Sequence, residues 1–178
     1  LSSLKTFGLT GNTDFYKRYF EQNVKLHPSR LILSGGHLNS GTALLNSGFF
    51  EKVETFVLTG SPPDFKDMCK HPRMQQLKQL SLVRCNLGPS NGLKNLLLGG
   101  PYENLEKLRL SYNELRKDDI KLLANTEAFP SLKYLDVSSN DGPFKLLWKS
   151  KRLQDCHIRY GQKGHTPTNR PPQKGFSK

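Results

Sequence analysis

The chain has 178 residues, of which 35% are hydrophobic, and its formal net charge at pH 7 is +12. This hydrophobic fraction supports the core of one ordinary domain, which excludes a largely disordered chain. No apolar run approaches the length of about 18 residues that crosses a membrane, and residues 1–5 lack the pattern of a signal peptide, so we expect neither.

The cysteines point to a reducing compartment. Cys69, Cys85 and Cys156 cannot all pair, and the sequence contains no Asn-x-Ser/Thr glycosylation acceptor. Both features favour an intracellular protein, nuclear or cytoplasmic, over a secreted one. The sequence starts without Met and inside a patterned segment, which predicts that it is a piece of a longer protein.

One pattern of apolar residues recurs along the chain. Residues 77–87 and 105–115 both follow the form L-x-x-L-x-L-x-x-(N/C)-x-L without a mismatch, and residues 132–140 follow its first nine positions with Val at the sixth. Four less regular copies keep the same frame. The seven copies begin at Leu4, Pro28, Val53, Leu77, Leu105, Leu132 and Leu153. Fixed-period self-similarity of this kind indicates a repeat architecture.

Each copy predicts a short strand, because its fourth and sixth positions point to the same face and can enter a core together. The ninth position predicts a turn, where an Asn side chain can bond unpaired backbone groups; this role falls to Asn12, Asn113 and Asn140. Between the strands, apolar residues at spacings of three and four predict helical segments. These residues are Phe15, Tyr19 and Phe20, then Leu44, Leu45 and Phe49, then Phe65 and Met68, then Leu93, Leu96 and Leu97, then Ile120, Leu123 and Ala124.

Over residues 4–160 the pattern resembles that of the leucine-rich-repeat family. Alternating apolar residues also suit strands of another α/β fold, but the spacing and the Asn or Cys at the ninth position favour the repeat. The resemblance implies an α/β solenoid of about seven repeats, with a curved parallel sheet on its concave side and helices on its convex side. It places a leucine-rich-repeat domain at residues 1–160. Residues 161–178 form a basic tail that we expect to be flexible, because it has a single large apolar residue.

No recognised catalytic motif occurs in the sequence, and its glycines are spaced as turn residues instead of as a phosphate loop. We therefore expect no enzymatic activity, no cofactor and no small-molecule substrate. Cys69 with His71, and Cys156 with His157, are the residue types of a metal site. The repeat frame places the two pairs on opposite sides, so we expect structural cysteines and no metal.

Positions three, five, seven and eight of each copy face away from the predicted core. In the first three copies they are small and weakly polar, whereas Tyr, Arg and Lys concentrate in the later copies. Tyr and Arg often dominate binding energy, because they bury a large area and keep a polar end. The predicted partner-binding residues are Arg84, Lys107, Arg109, Tyr112, Tyr134, Asp136, His157, Arg159 and Tyr160.

Positive charge concentrates at the C-terminal end. From Pro143 onward there are nine basic residues and one acid, Asp155, a net +8 of the chain's +12. Such a segment attracts a polyanion or an acidic protein surface. The candidate polyanion-binding residues are Lys145, Lys149, Lys151, Arg152, Lys163, Arg170 and Lys174. Trp148 lies among them, but its apolar neighbours predict a core or cap position instead of a base-stacking one.

Asp136 and Asp155 near the predicted patch repel phosphate, which favours a protein partner. The leading hypothesis is a non-catalytic interaction module, an adaptor, scaffold or recognition subunit of an intracellular complex. A leucine-rich-repeat protein associated with RNA or DNA through the basic end is the alternative. The family resemblance also implies a further alternative function, as the substrate-recognition arm of a ubiquitin ligase.

Overall fold

The computed structural model describes residues 5–10, 27–34, 38, 40–62, 64–161 and 168–170. Within these ranges, eight strands form one sheet in which spatial order follows chain order. Strands β1 to β7 pair in parallel, and β8 pairs antiparallel with β7. The strands are β1 Thr6–Thr10, β2 Arg30–Ser34, β3 Thr55–Thr59, β4 Gln79–Val83, β5 Lys107–Arg109, β6 Tyr134–Asp136, β7 His157–Tyr160 and β8 Thr168–Arg170.

Helices connect the parallel strands from β2 to β7, as parallel pairing requires a crossover. In the part of the chain that the structure describes, the α-helices are α1 Gly41–Asn46, α2 Phe65–Lys70, α3 Gly92–Gly99, α4 Lys117–Asn125 and α5 Lys145–Trp148. Short 3₁₀ helices span Gly48–Phe50, Pro72–Met74 and Lys151–Leu153. Each α-helix contacts the next one along the chain, so the helices form a second layer beside the sheet.

One continuous core lies between the sheet and the helices. The strand register aligns the fourth positions of the first six copies with Ile158 in a single row, which consists of Phe7, Leu31, Phe56, Leu80, Leu108, Leu135 and Ile158. All but Phe7 in this row are at most 1% exposed. The predicted start of the seventh copy at Leu153 makes Cys156 its fourth position and Ile158 its sixth, so the predicted register is wrong there by two residues. The predicted helical residues of α1 to α4 are also buried, apart from the half-buried Leu97. The predicted Phe15, Tyr19 and Phe20 lie outside the described residues.

Asparagines hold the turns that follow β5 and β6. The Asn113 carboxamide accepts a hydrogen bond from the Cys85 N–H at 2.8 Å and donates to the Leu82 carbonyl at 2.7 Å. Asn140 accepts from the N–H groups of Asn113 and Leu115, at 2.9 and 3.0 Å. The predicted roles of Asn113 and Asn140 are therefore confirmed, and Asn12 lies outside the described residues.

Asp64, which precedes α2, ties α2 to the start of α1. Its carboxylate accepts the N–H groups of Gly41 and Thr42, at 2.7 and 2.8 Å. It also accepts the hydroxyls of Ser40 and Thr42, at 2.8 and 2.6 Å. Gly41 fits this junction because a Cβ there would lie 2.4 Å from the Met68 Sδ. This contact was not predicted from the sequence.

The predicted α/β class is confirmed, with a mostly parallel sheet. No helix among the described residues is long and apolar enough to cross a membrane. Strand β8 was not predicted, since it lies in the segment expected to be a flexible tail. It pairs Thr168 with Tyr160 and Arg170 with Ile158.

Candidate functional site

The sheet has an open face, opposite the core, formed by the residues that alternate with the buried rows. Two rows of this face run across the strands. One consists of Thr6, Arg30, Thr55, Gln79, Lys107, Tyr134 and His157. The other consists of Gly8, Ile32, Val57, Ser81, Arg109, Asp136 and Arg159.

Six of the nine predicted partner-binding residues are direct neighbours at the C-terminal ends of these rows. We call them the open-face patch: Lys107, Arg109, Tyr134, Asp136, His157 and Arg159. The register pairs Lys107 with Tyr134 and Tyr134 with His157 in one row, and Arg109 with Asp136 and Asp136 with Arg159 in the other. Adjacent strands lie about 4.8 Å apart, so these side chains form one continuous surface.

Aromatic rings order the centre of the patch. The rings of Tyr134 and His157 stack with centroids 5.5 Å apart and an interplanar angle of 8°. The Arg109 guanidinium carbon lies 5.9 Å from the centroid of the Tyr134 ring, within the range of a cation–π contact. These contacts restrict the rotamers of all three side chains before any partner binds.

Asp136 is a buried carboxylate within the patch, with 3% of its surface exposed. Its Oδ1 accepts hydrogen bonds from the Ser138 N–H at 3.0 Å and from the Ser138 hydroxyl at 2.6 Å. Its Oδ2 lies 3.5 Å from the Arg159 Nη1. Asp136 is therefore placed to position Arg159 and is largely withheld from a ligand. Ser138 was not predicted as its partner, although the spacing Asp-x-Ser permits such a bond.

Arg84 and Tyr112 form a second contact, beyond the carboxyl ends of β4 and β5. The Arg84 guanidinium carbon lies 5.1 Å from the centroid of the Tyr112 ring, and both residues are exposed. Their φ angles, 53° and 58°, lie in the left-handed region, which turns each side chain out of the strand direction. The predicted Arg84 and Tyr112 thus lie next to each other but outside the two rows of the patch.

Tyr160 does not lie on the open face. It is half-buried and packs against the core, with its ring centroid 6.0 Å from that of Phe144 and 5.3 Å from that of Trp148. Tyr160 follows Arg159 directly in a strand, so the alternation of side chains turns it toward the helices. Trp148 packs against the core as well, in agreement with its predicted position.

The candidate polyanion-binding residues lie elsewhere. Lys145, Lys149 and Lys151 are exposed on the helix side, in and after α5. Arg152 forms an ion pair with Glu127, which follows α4. The remaining candidates are Lys163 and Lys174, which are outside the described residues, and Arg170, whose backbone lies in β8. The basic helix side and the open-face patch are therefore two separate positive surfaces.

The cysteines are buried free thiols. Burial raises the pKa of Cys69, Cys85 and Cys156 to about 12 in each case. Burial and the nearby Arg73 lower the pKa of His71. In the described ranges, His, Cys, Asp and Glu form no group of three that could hold a metal ion.

Comparison with protein-family models and with curated proteins finds no match for this chain.

Proposed function

We propose that the chain is a non-catalytic recognition module of the leucine-rich-repeat type, a curved solenoid that binds a partner protein through the open-face patch on its concave side. The copies of the leucine pattern correspond to successive strands, and each strand neighbours the one before it, as a stack of repeats requires. The buried thiols suit a reducing, intracellular setting.

The observation that carries this proposal is the register of β5 to β7. It gathers six residues from three separate copies into one surface of cations and stacked rings. The open-face rows of β1 to β4 offer Thr, Gly, Val, Ile, Ser and Gln with one cation, Arg30. Arg and Tyr in such a cluster are the residue types that most often carry interface energy.

The test compares two triple variants of the chain. Tyr112→Ala, Tyr134→Ala and Arg159→Ala together remove large groups from the patch and its neighbouring Arg84–Tyr112 contact. Arg30→Ala, Thr55→Ala and Gln79→Ala remove one open-face row in the N-terminal half. A partner is captured from cell extract with the wild-type chain, identified by mass spectrometry, and titrated calorimetrically against all three chains.

We expect the first variant to lose more than about 2 kcal/mol of binding free energy and the second to lose less than about 0.5 kcal/mol. Thermal unfolding of each variant checks that the fold is intact. Equal losses in the two variants, or a loss below about 0.5 kcal/mol in the first, would remove the open-face patch as the binding site.

A second candidate function is association with RNA or DNA, which the exposed Lys145, Lys149 and Lys151 favour. Its test is a filter-binding titration against salt, because each neutralised phosphate of a single strand adds about 0.7 to the slope of log K against log salt. If no RNA or DNA is retained on the filter at about 100 mM salt, this surface has no role in nucleic-acid binding.

A further inference from the structure

We propose that the partner segment received by the open-face patch is acidic and extended, and that it pairs its carboxylates with Arg109 and Arg159. This inference rests on the proposed function, since it specifies the chemistry of the same surface. It follows from the charge of the patch, the free donor edges of its guanidinium groups and the spacing of its strands.

The charge of the patch is positive and is not cancelled by its surroundings. Lys107, Arg109 and Arg159 stand against one carboxylate, Asp136, which is buried and bonded by Ser138. Glu106, which precedes Lys107, pairs with the Lys133 Nζ at 2.6 Å, and this ion pair lowers the Glu106 pKa. A ligand must therefore supply negative charge to match the patch.

Arg109 and Arg159 both present guanidinium N–H groups that can donate hydrogen bonds to carboxylates of a ligand. Arg109 contacts the Tyr134 ring, and stacking of this kind leaves the N–H edge of a guanidinium group available for a carboxylate. Arg159 lies 3.5 Å from Asp136, longer than a good charge-assisted hydrogen bond, and 43% of its side chain is exposed. Arg159 can thus stay beside Asp136 and still donate hydrogen bonds to a second carboxylate.

The rings of Tyr134 and His157 lie beside both arginines in the neighbouring row. Because they are already stacked, they offer apolar area to the backbone and methylene groups of a ligand at little entropic cost. A duplex or a bulky phosphate backbone gains little from such a flat pair. An extended peptide can cover it along its length.

The spacing of the strands sets the spacing of the carboxylates. Arg109 is in β5 and Arg159 is in β7, two strand spacings or about 10 Å apart. An extended segment in the polyproline II conformation advances about 3.1 Å per residue with three residues per turn. Its side chains three residues apart therefore face the same way and lie about 9 Å apart, close to the spacing of the two arginines.

The experiment uses the full 178-residue chain and a fluorescein-labelled twelve-residue peptide with Glu at every third position and Ser elsewhere. Its control carries Gln in place of each Glu. Fluorescence anisotropy at about 50 mM salt measures the Kd, since low salt keeps surface charges unscreened. We expect saturable binding of the Glu peptide and at least tenfold weaker binding of the Gln peptide.

Variants locate the binding. Arg109→Ala, which leaves the Arg159–Asp136 ion pair in place, is expected to raise the Kd at least about fivefold, and the double variant R109A/R159A about 20-fold. Arg109→Lys is expected to fall between wild type and Arg109→Ala, because it keeps the charge but loses the planar fork. The matched control is K145A/K149A on the helix side, which removes the same charge and is expected to change the Kd less than about twofold.

Several outcomes would overturn the inference. They are equal weakening by the open-face and helix-side double variants, equal affinity for the Gln peptide, or no saturable binding below about 1 mM. Tighter binding of a twelve-nucleotide uridine RNA that is lost with R109A/R159A would also do so. A captured partner protein that depends on Tyr134 and Arg159 but is not displaced by the Glu peptide would refute the acidic segment alone. A partner unaffected by the triple variant would refute the proposed function itself.

Discussion

Asn140 shows how one side chain can close the turns of two neighbouring units. Its carboxamide nitrogen donates to the carbonyls of Leu110 and Val137, both at 2.9 Å, while its oxygen accepts from the backbone of Asn113 and Leu115. All of these backbone groups are buried, so without the Asn140 side chain no water could form the lost hydrogen bonds with them. Asn113 has the equivalent place one unit earlier, bonding Cys85.

We expect Asn140→Ala to lower the free energy of unfolding by more than about 3 kcal/mol, because it leaves several buried backbone groups unpaired. Urea unfolding followed by circular dichroism measures the change. The matched control is Asn125→Ala, whose side chain bonds the Lys121 carbonyl at the exposed end of α4. That variant is expected to lose less than about 0.5 kcal/mol. Similar losses at the two positions would mean that the Asn140 bonds do not stabilise the turn.

At the scale of elements, α1 is held by an acid from the following unit. Partial burial of Asp64 by itself raises its carboxyl pKa, but hydrogen bonds from Thr42, Gly41 and Ser40 outweigh burial. The Asp64 pKa therefore lies below its ordinary value of 3.8. The deprotonated carboxylate favours the folded state, so its contribution is present above the unfolded pKa and is lost as pH falls through the folded one.

We expect Asp64→Asn to lower the free energy of unfolding at pH 7 by about 1–3 kcal/mol, since an amide accepts at one atom only. The difference from wild type is expected to shrink as the pH falls from about 4, where Asp64 of the unfolded chain begins to protonate, through the lower pKa of the folded state. Urea unfolding at a series of pH values tests this. Asp67→Asn, at an exposed position in α2, is the control and should show no such pH-dependent difference. A gap that stays constant down to pH 2 would contradict the role of the ionised carboxylate.

The elements differ in how far the sequence predicts them. The strands from β1 to β7 follow from the leucine rhythm, because alternation of apolar residues is a local property of a half-buried strand. Strand β8 has the polar sequence Thr-Asn-Arg and could not be predicted this way. It forms because the edge of β7 offers unpaired backbone groups, and only the folded sheet creates that edge.

In the part of the chain that the structure describes, one continuous core includes all three cysteines. Burial holds the pKa of the Cys69, Cys85 and Cys156 thiols at about 12, so the native chain presents almost no thiolate at neutral pH.

We expect all three thiols to resist an aromatic disulfide reagent at pH 8 in the native state and to react in one phase as urea unfolds the chain. The absorbance of the aromatic thiolate released by the reagent measures the reaction in the native state and during unfolding. The three cysteines lie in different units, so they report on the two halves of the sheet together. A thiol that reacts at lower urea than the others would show that its unit opens independently, as nearest-neighbour stacking permits.

The site was predictable in part. Register alone places Lys107, Arg109, Tyr134, His157 and Arg159 on the open face, because a period of two assigns them all to the side away from the leucines. The burial of Asp136 depends on Ser138 and on Arg159 from the next strand. The rows of equivalent positions therefore predict which side chains are neighbours but not how those neighbours bond each other.

The antiparallel strand β8 protects one end of the sheet from pairing with other chains. Its outer edge belongs to a strand of three residues, and Thr168 and Asn169 are exposed. A short polar edge is a poor template for another strand, so it guards that end against fibril-like association of copies.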